Sequence, residues 1–163
     1  MERDNDLVTH RYHKASADDK IDLLAFGVAT PAVLAGVCGE VEHRERHLLV
    51  ATHERTHLPL VVAENGAAYA DEVRAPDGSV DDQDRIAYLR DHIAAVERAR
   101  TAGADVRAYV AWTLLDNFEW AEGYTKKFGL VEVSPADPTR SPKASYRWYS
   151  DLVHAGRSAG AVG

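Results

Sequence analysis

The chain has 163 residues, of which 45% are hydrophobic and 28% charged, with a formal net charge of −7 at pH 7. That length allows one domain with a substantial core, and the composition is that of a folded chain. The acidic balance argues against a nucleic-acid or anionic-membrane partner, because phosphate binding relies on concentrated Lys and Arg.

A single cysteine, Cys38, excludes an internal disulfide framework and fits a reducing, cytoplasmic setting. In chain order, residues 1–22 are polar and mixed in charge, and a loose arm or short helix is expected. Residues 23–39 carry no charge and imitate a targeting signal. The segment before them holds six acids against four Lys and Arg, whereas a signal peptide wants a basic lead, and Pro31 interrupts the apolar run. Spanning a bilayer takes about 20 apolar residues. A buried helix or an ill-fitting leader is expected, so that 1–38 form a leader, partly disordered or in short helices.

From Glu40 to Arg55, charged residues around Leu48, Leu49 and Val50 predict a surface helix. His53-Glu54-Arg55-Thr56-His57 is formally H-E-x-x-H, which on a continuous helix would place two imidazoles on one face for zinc. Pro59 follows closely, position 60 is Leu60 rather than the glycine of the extended motif, and no third ligand motif follows. A zinc peptidase is therefore a distant alternative, and no metal is expected.

Leu60-Val61-Val62-Ala63-Glu64-Asn65-Gly66 reads as a strand covered on both faces that delivers one carboxylate to its end. After a turn at Ala75 to Gly78, acids at 81, 82 and 84 suit a helix start. Ile86, Leu89, Ile93 and Val96 fall on one face, with Arg85, Arg90, Asp91, Glu97 and Arg98 on the other. Gly103 is the stop. Val106 to Trp112 reads as a second strand, which completes a parallel strand-helix-strand unit. Just past it, Thr113 to Trp120 sets Glu119 between Phe118 and Trp120. Aromatic faces beside an acid suit a sugar ring, whose C–H faces stack on indole while its hydroxyls need acceptors. Tyr124 to Val133 reads as extended, Ser134 to Pro142 as a proline-rich loop, Lys143 to His154 as a closing helix, and the last residues as a flexible tail.

With these stretches in view, the chain resembles the C-terminal part of a glycoside hydrolase family 1 enzyme, the beta-glucosidase group, over about residues 40–157. The resemblance rests on Leu58 to Gly66 (LPLVVAENG), Asp84 to Val96 (DRIAYLRDHIAAV), Trp112 to Tyr124 (WTLLDNFEWAEGY), Lys127 to Leu130 (KFGL) and Pro142 to Tyr149 (PKASYRWY). It implies an α/β fold, an incomplete (β/α)8 TIM barrel carrying the last two barrel strands, about 59–64 and 106–112, with their helices. It divides the chain into a leader (1–38), a barrel fragment (39–157) and a tail (158–163). It makes Glu64 the nucleophile, gives Trp112, Glu119 and Trp120 to a beta-glucoside or oligosaccharide substrate, and implies no cofactor.

Two departures accompany it. The family's proton donor lies in an Asn-Glu-Pro motif, and none occurs in this chain. A (β/α)8 barrel takes at least ~200 residues. Residues 1–38 show no match to preceding barrel strands, as a truncated or frame-shifted gene would produce. Ala63, Lys127 and Ser134 differ from the family's usual Thr, Arg and Asp, which bears on substrate preference. The expectation is a retaining glycosidase by descent, inactive as an isolated chain for want of its acid/base glutamate. The alternative is a non-catalytic fragment that associates with itself or a complementary barrel fragment through exposed strand edges.

Overall fold

A computed structural model describes residues 10–15, 20–25, 38–134 and 136–160. The apolar run at Leu60 forms one of the two inner strands of a four-stranded sheet. Strand β1 (His10–Ala15) pairs antiparallel with β2 (Lys20–Ala25), β2 pairs parallel with β3 (Leu60–Asn65), and β3 pairs parallel with β4 (Val106–Ala111). The order is β1-β2-β3-β4, and among the described residues the sheet does not close. Helix α1 (Cys38–Thr56) leads into β3, and α2 (Gln83–Thr101) makes the crossover to β4. The two expected barrel strands are thus found within a residue of their anticipated bounds.

The arm or short helix expected before residue 23 is replaced, where residues are described, by β1 and β2. Ile21, Leu23 and Leu24 form a run too short to show a period, and pairing with β3 gives its backbone partners, with Leu23 opposite Val61 and Leu24 opposite Val62. The rest of the expected leader before Cys38 lies outside the described residues, as do residues 161–163. Among the described residues no helix is long and apolar enough to cross a membrane.

The chain divides into two compact units, Met1–Ala67 with Tyr88–Trp112, and Ala68–Ala87 with Thr113–Gly163. In the first, Leu49 of α1, Leu60 and Val62 of β3, Val96 and Ala99 of α2, and Ala104 and Val106 form one buried cluster. Complete burial of one such Leu or Val side chain is worth about 1.5–3 kcal/mol. The helices cover one face of β3 only: Leu60 and Val62 are buried, while Val61 and Ala63 stay half-buried and Glu64 is exposed. The expectation of a strand covered on both faces therefore holds for one face. A second tie joins α1 to α2, where buried His92 approaches Glu45 at 3.0 Å through Nε2 and the Tyr88 carbonyl at 2.7 Å through Nδ1, and stacks on the Tyr88 ring.

In the second unit, β5 (Val131–Ser134) and β6 (Asp137–Pro142) pair antiparallel, followed by α3 (Ala144–Gly160). The predicted proline-rich loop at 134–142 is thus largely strand. Pro142 ends β6, an edge strand, where a missing N–H is tolerated. Arg74 clasps this hairpin by a bidentate pair to Glu132, both hydrogen bonds 2.7 Å. The Arg74 hydrogen bond and charge hold the Glu132 carboxyl below the usual carboxylate range, against an opposing effect of burial. A carboxyl depressed on folding stabilises above its unfolded pKa and loses that contribution as pH falls through the folded one. Glu132→Gln is expected to cost about 0.5–1 kcal/mol at pH 7, the scale of a solvent-accessible pair. In urea unfolding followed against pH, this difference should fade below the ordinary carboxylate range.

Candidate active site

The carboxyl-terminal end of β3 departs from simple alternation, in which residues i, i+2 and i+4 share a face. Leu60 and Val62 face the helices, so Glu64 would be the next residue on that face. It is exposed instead, and Asn65 is buried at 2% exposure. The register explains the switch. Between Val62 and Asn65 β3 advances three residues while β4 advances two, from Tyr109 to Ala111. Against β2 it advances two residues, Val62 to Glu64, while β2 advances one. One extra residue on β3 bends the strand and re-aims the side chains beyond it, as bulges beside active sites do.

The segment is then held against the end of β4. The Trp112 N–H donates to the Asn65 carbonyl at 2.8 Å, and the Tyr109 hydroxyl donates to Asn65 Oδ1 at 2.6 Å. Gly66 is needed for close approach, because a Cβ there would run into the Trp112 carbonyl. Glu64 and Trp112, two of the four site residues expected from sequence, thus stand at the ends of neighbouring parallel strands, with Trp112 half-buried.

Glu119 and Trp120 belong to the second unit. Glu119 is half-buried, and its backbone closes a turn with Gly123, donating to that carbonyl at 2.7 Å. Trp120 opens a short 3₁₀ turn (Trp120–Glu122) at φ 41 and is 88% exposed. A bulky residue in left-handed backbone is uncommon, and such strain clusters at ligand sites. Phe118 packs edge-on against Tyr124 beside it, and both are exposed.

The loop bearing these residues is fixed by a buried ionic network that sequence reasoning missed. Lys143, fully buried, donates to Asp71 Oδ2 at 2.5 Å and to Asp116 Oδ1 at 3.0 Å. Asp71 also accepts from Arg85 Nη2 at 2.9 Å, and Arg85 pairs with Asp82 as well. Asp82 accepts from the N–H and hydroxyl of Ser145 at 2.8 and 2.6 Å. Arg85, which the helical pattern assigns to the solvent face, is 1% exposed and lies over the Tyr69 ring. Pairing on this scale makes its burial tolerable. Asp116 further accepts from the Gly129 N–H at 2.8 Å, and a Cβ at Gly129 would collide with the Asp116 backbone. The traces in sequence were Asp116 within LLDNF and Lys143-Ala144-Ser145, neither of which announces a partner.

The H-E-x-x-H motif is not carried by one continuous helix. Helix α1 ends at Thr56, and His57 lies beyond it in left-handed backbone (φ 55). His53 Nδ1 faces the Leu58 carbonyl at 2.9 Å. Among the described residues no group of three or more His, Cys, Asp or Glu could hold a metal ion.

A parallel β3–α2–β4 unit with a carboxylate at its carboxyl-terminal edge is the pattern of a (β/α)8-barrel enzyme. Residues 42–157 match the profile of Glycosyl hydrolase family 1, and the chain belongs to that family. It is 52% identical over 99 residues to the bifunctional beta-D-glucosidase/beta-D-fucosidase of Bifidobacterium breve, covering 59% of this chain and 22% of that protein. It is 40% identical over 144 residues to the beta-glucosidase of an Agrobacterium species, covering 84% of this chain and 31% of that protein. This second alignment covers more of the chain than residues 42–157 do. The family 1 beta-glucosidase of Thermotoga maritima, solved in complex with isofagomine lactam, superposes with a TM-score of 0.69 at 37% identity, covering 80% of this chain and 30% of that one. The chain thus spans between about a fifth and a third of the length of these relatives.

Removing the Lys143 ammonium would leave Asp71 and Asp116 buried with a cation lost. Lys143→Met is therefore expected to destabilise by about 3–5 kcal/mol, the cost of breaking a buried pair, measured by urea denaturation. Gly66→Ala should also destabilise, by forcing the end of β3 away from Trp112. A Gly66→Ala chain as stable as the unmodified one would contradict the close approach.

Proposed function

We propose that this chain carries the nucleophile side of a retaining beta-glucosidase site, with Glu64 as the attacking carboxylate. The observation that supports it is the exposed carboxylate at the carboxyl-terminal end of a parallel strand, turned off the helix-covered face by the extra residue of β3. In a retaining mechanism the carboxylate attacks the anomeric carbon and forms a glycosyl ester while a second carboxyl, about 5–5.5 Å away, protonates the leaving oxygen. Water then releases the sugar with its configuration retained. Trp112 and Trp120 would offer indole faces to a terminal beta-linked sugar, and Glu119 would accept hydrogen bonds from its hydroxyls.

The second carboxyl is the missing part, since the chain contains no Asn-Glu-Pro. A general acid contributes about 10²- to 10⁴-fold, so the 163-residue chain is inferred to turn over substrate poorly or not at all. The test is hydrolysis of an aryl beta-glucoside by the purified chain and by Glu64→Gln. Little or no release is expected from either. Clear turnover by the unmodified chain that disappears in Glu64→Gln would place a proton donor within the chain and overturn the inference of inactivity.

A second reading, association with another copy or a complementary barrel segment, draws on β1 and β4 being the outer strands of an open sheet, with Val110 of β4 50% exposed. Unpaired edges are templates for pairing. Light scattering that gives a clean monomer would count against it.

A further inference from the structure

We propose that Tyr109, acting through the side chain of Asn65, is a positioning residue for Glu64: their hydrogen bond holds the extra residue of β3 in place and so keeps the carboxylate off the helix-covered face. The catalytic meaning of this rests on the reading of Glu64 as nucleophile; the mechanical claim does not.

Three observations carry it. First, the alternation of β3 changes parity between Val62 and Asn65, and it does so against both neighbouring strands. The distortion therefore belongs to β3. Second, the change puts an amide side chain, Asn65, on the buried side at 2% exposure. A buried carbonyl oxygen needs a donor, and Tyr109 supplies one at 2.6 Å. Third, Tyr109 lies opposite Val62 in the parallel register, the last regular position before the extra residue, and its hydroxyl reaches forward to the first position after it. The hydrogen bond therefore spans the irregular stretch, with Glu64 inside the span. In a regular register Glu64 would take the face of Leu60 and Val62, where burying a carboxylate is costly. That cost disfavours one wrong arrangement, while the Tyr109–Asn65 bond selects the observed one.

Two main-chain hydrogen bonds of equal length supply an internal control. At the entry to the strand pair the Leu60 N–H donates to the Asp105 carbonyl at 2.8 Å, and at the exit the Trp112 N–H donates to the Asn65 carbonyl at 2.8 Å. Amide hydrogen exchange, read by NMR on the full 163-residue chain, should rise about tenfold or more at Trp112 in Tyr109→Phe, as expected when a buried acceptor loses its donor. Exchange at Leu60 should stay within about twofold of the unmodified chain. A general loss of stability would move both amides together, and that result, or an unchanged Trp112, overturns the proposal. In an Asn65→Ala background Tyr109→Phe should add nothing at Trp112; an undiminished effect there would show that Tyr109 does not act through Asn65.

The link to chemistry is read separately. A 2-deoxy-2-fluoro-β-glucoside with a dinitrophenolate leaving group needs no acid to depart. Covalent labelling of Glu64, followed by intact mass, should slow severalfold in Tyr109→Phe through its maximal rate rather than through the half-saturating concentration. If the unmodified chain takes no label, the nucleophile reading fails, while the amide comparison still decides whether the hydrogen bond holds the strand end. Equal labelling in both chains, with the Trp112 amide loosened, would overturn the positioning of Glu64 itself.

Discussion

Parallel strands cannot be joined by a tight turn, and they need a crossover of a dozen or more residues that packs back on the sheet. In this chain the crossover is α2, and its packing on β3 and β4 organises the first unit. Leu60 and Val62 point at the helices and Val96 and Ala99 point back, with Leu49 of α1 closing the cluster. Once that face is committed to the helices, the carboxyl-terminal end of β3 is left outside the apolar cluster. The exposed Glu64 results from this division of labour and from one extra residue that lets a polar side chain leave the apolar face.

The second unit is held in another way. Its loop after β4 is short of apolar burial, with Leu114, Phe118, Trp120 and Tyr124 all exposed. Order comes from polar contacts: main-chain hydrogen bonds from Leu130 and Val131 to Thr113 and Leu114, and the Lys143 ammonium tied to Asp116. Such an arrangement makes the loop dependent on groups far along the chain, at Asp71 and at the start of α3. It also frees the aromatic side chains, which have no core to fill.

Much of the helical and strand pattern was legible in sequence because it comes from periodicity. The β3–α2–β4 unit, the helix near 40–55 and the closing helix all fall in the expected places, and the motif stretches around Glu64 and Trp120 led to the family. The features that escaped have a common cause, which is dependence on distant partners. Strands β1 and β2 are six residues each and gain their state from pairing. Arg85 reads as a surface charge until Asp71 and Asp82 are placed beside it. The parity change at Glu64 cannot be seen in a single strand, since it is a difference between that strand and its neighbours. Asn65 and Tyr109 looked like ordinary residues for the same reason.

The network of Asp71, Asp82, Arg85, Asp116 and Lys143 has a consequence for how such a chain can change over generations. It sets two buried cations among three carboxylates, so exchanging either cation alone leaves a carboxylate stranded. Neutral drift at Arg85 and Lys143 is therefore closed to single steps and open only to compensated changes. Across relatives these two positions should be frozen or should change together with their carboxylates.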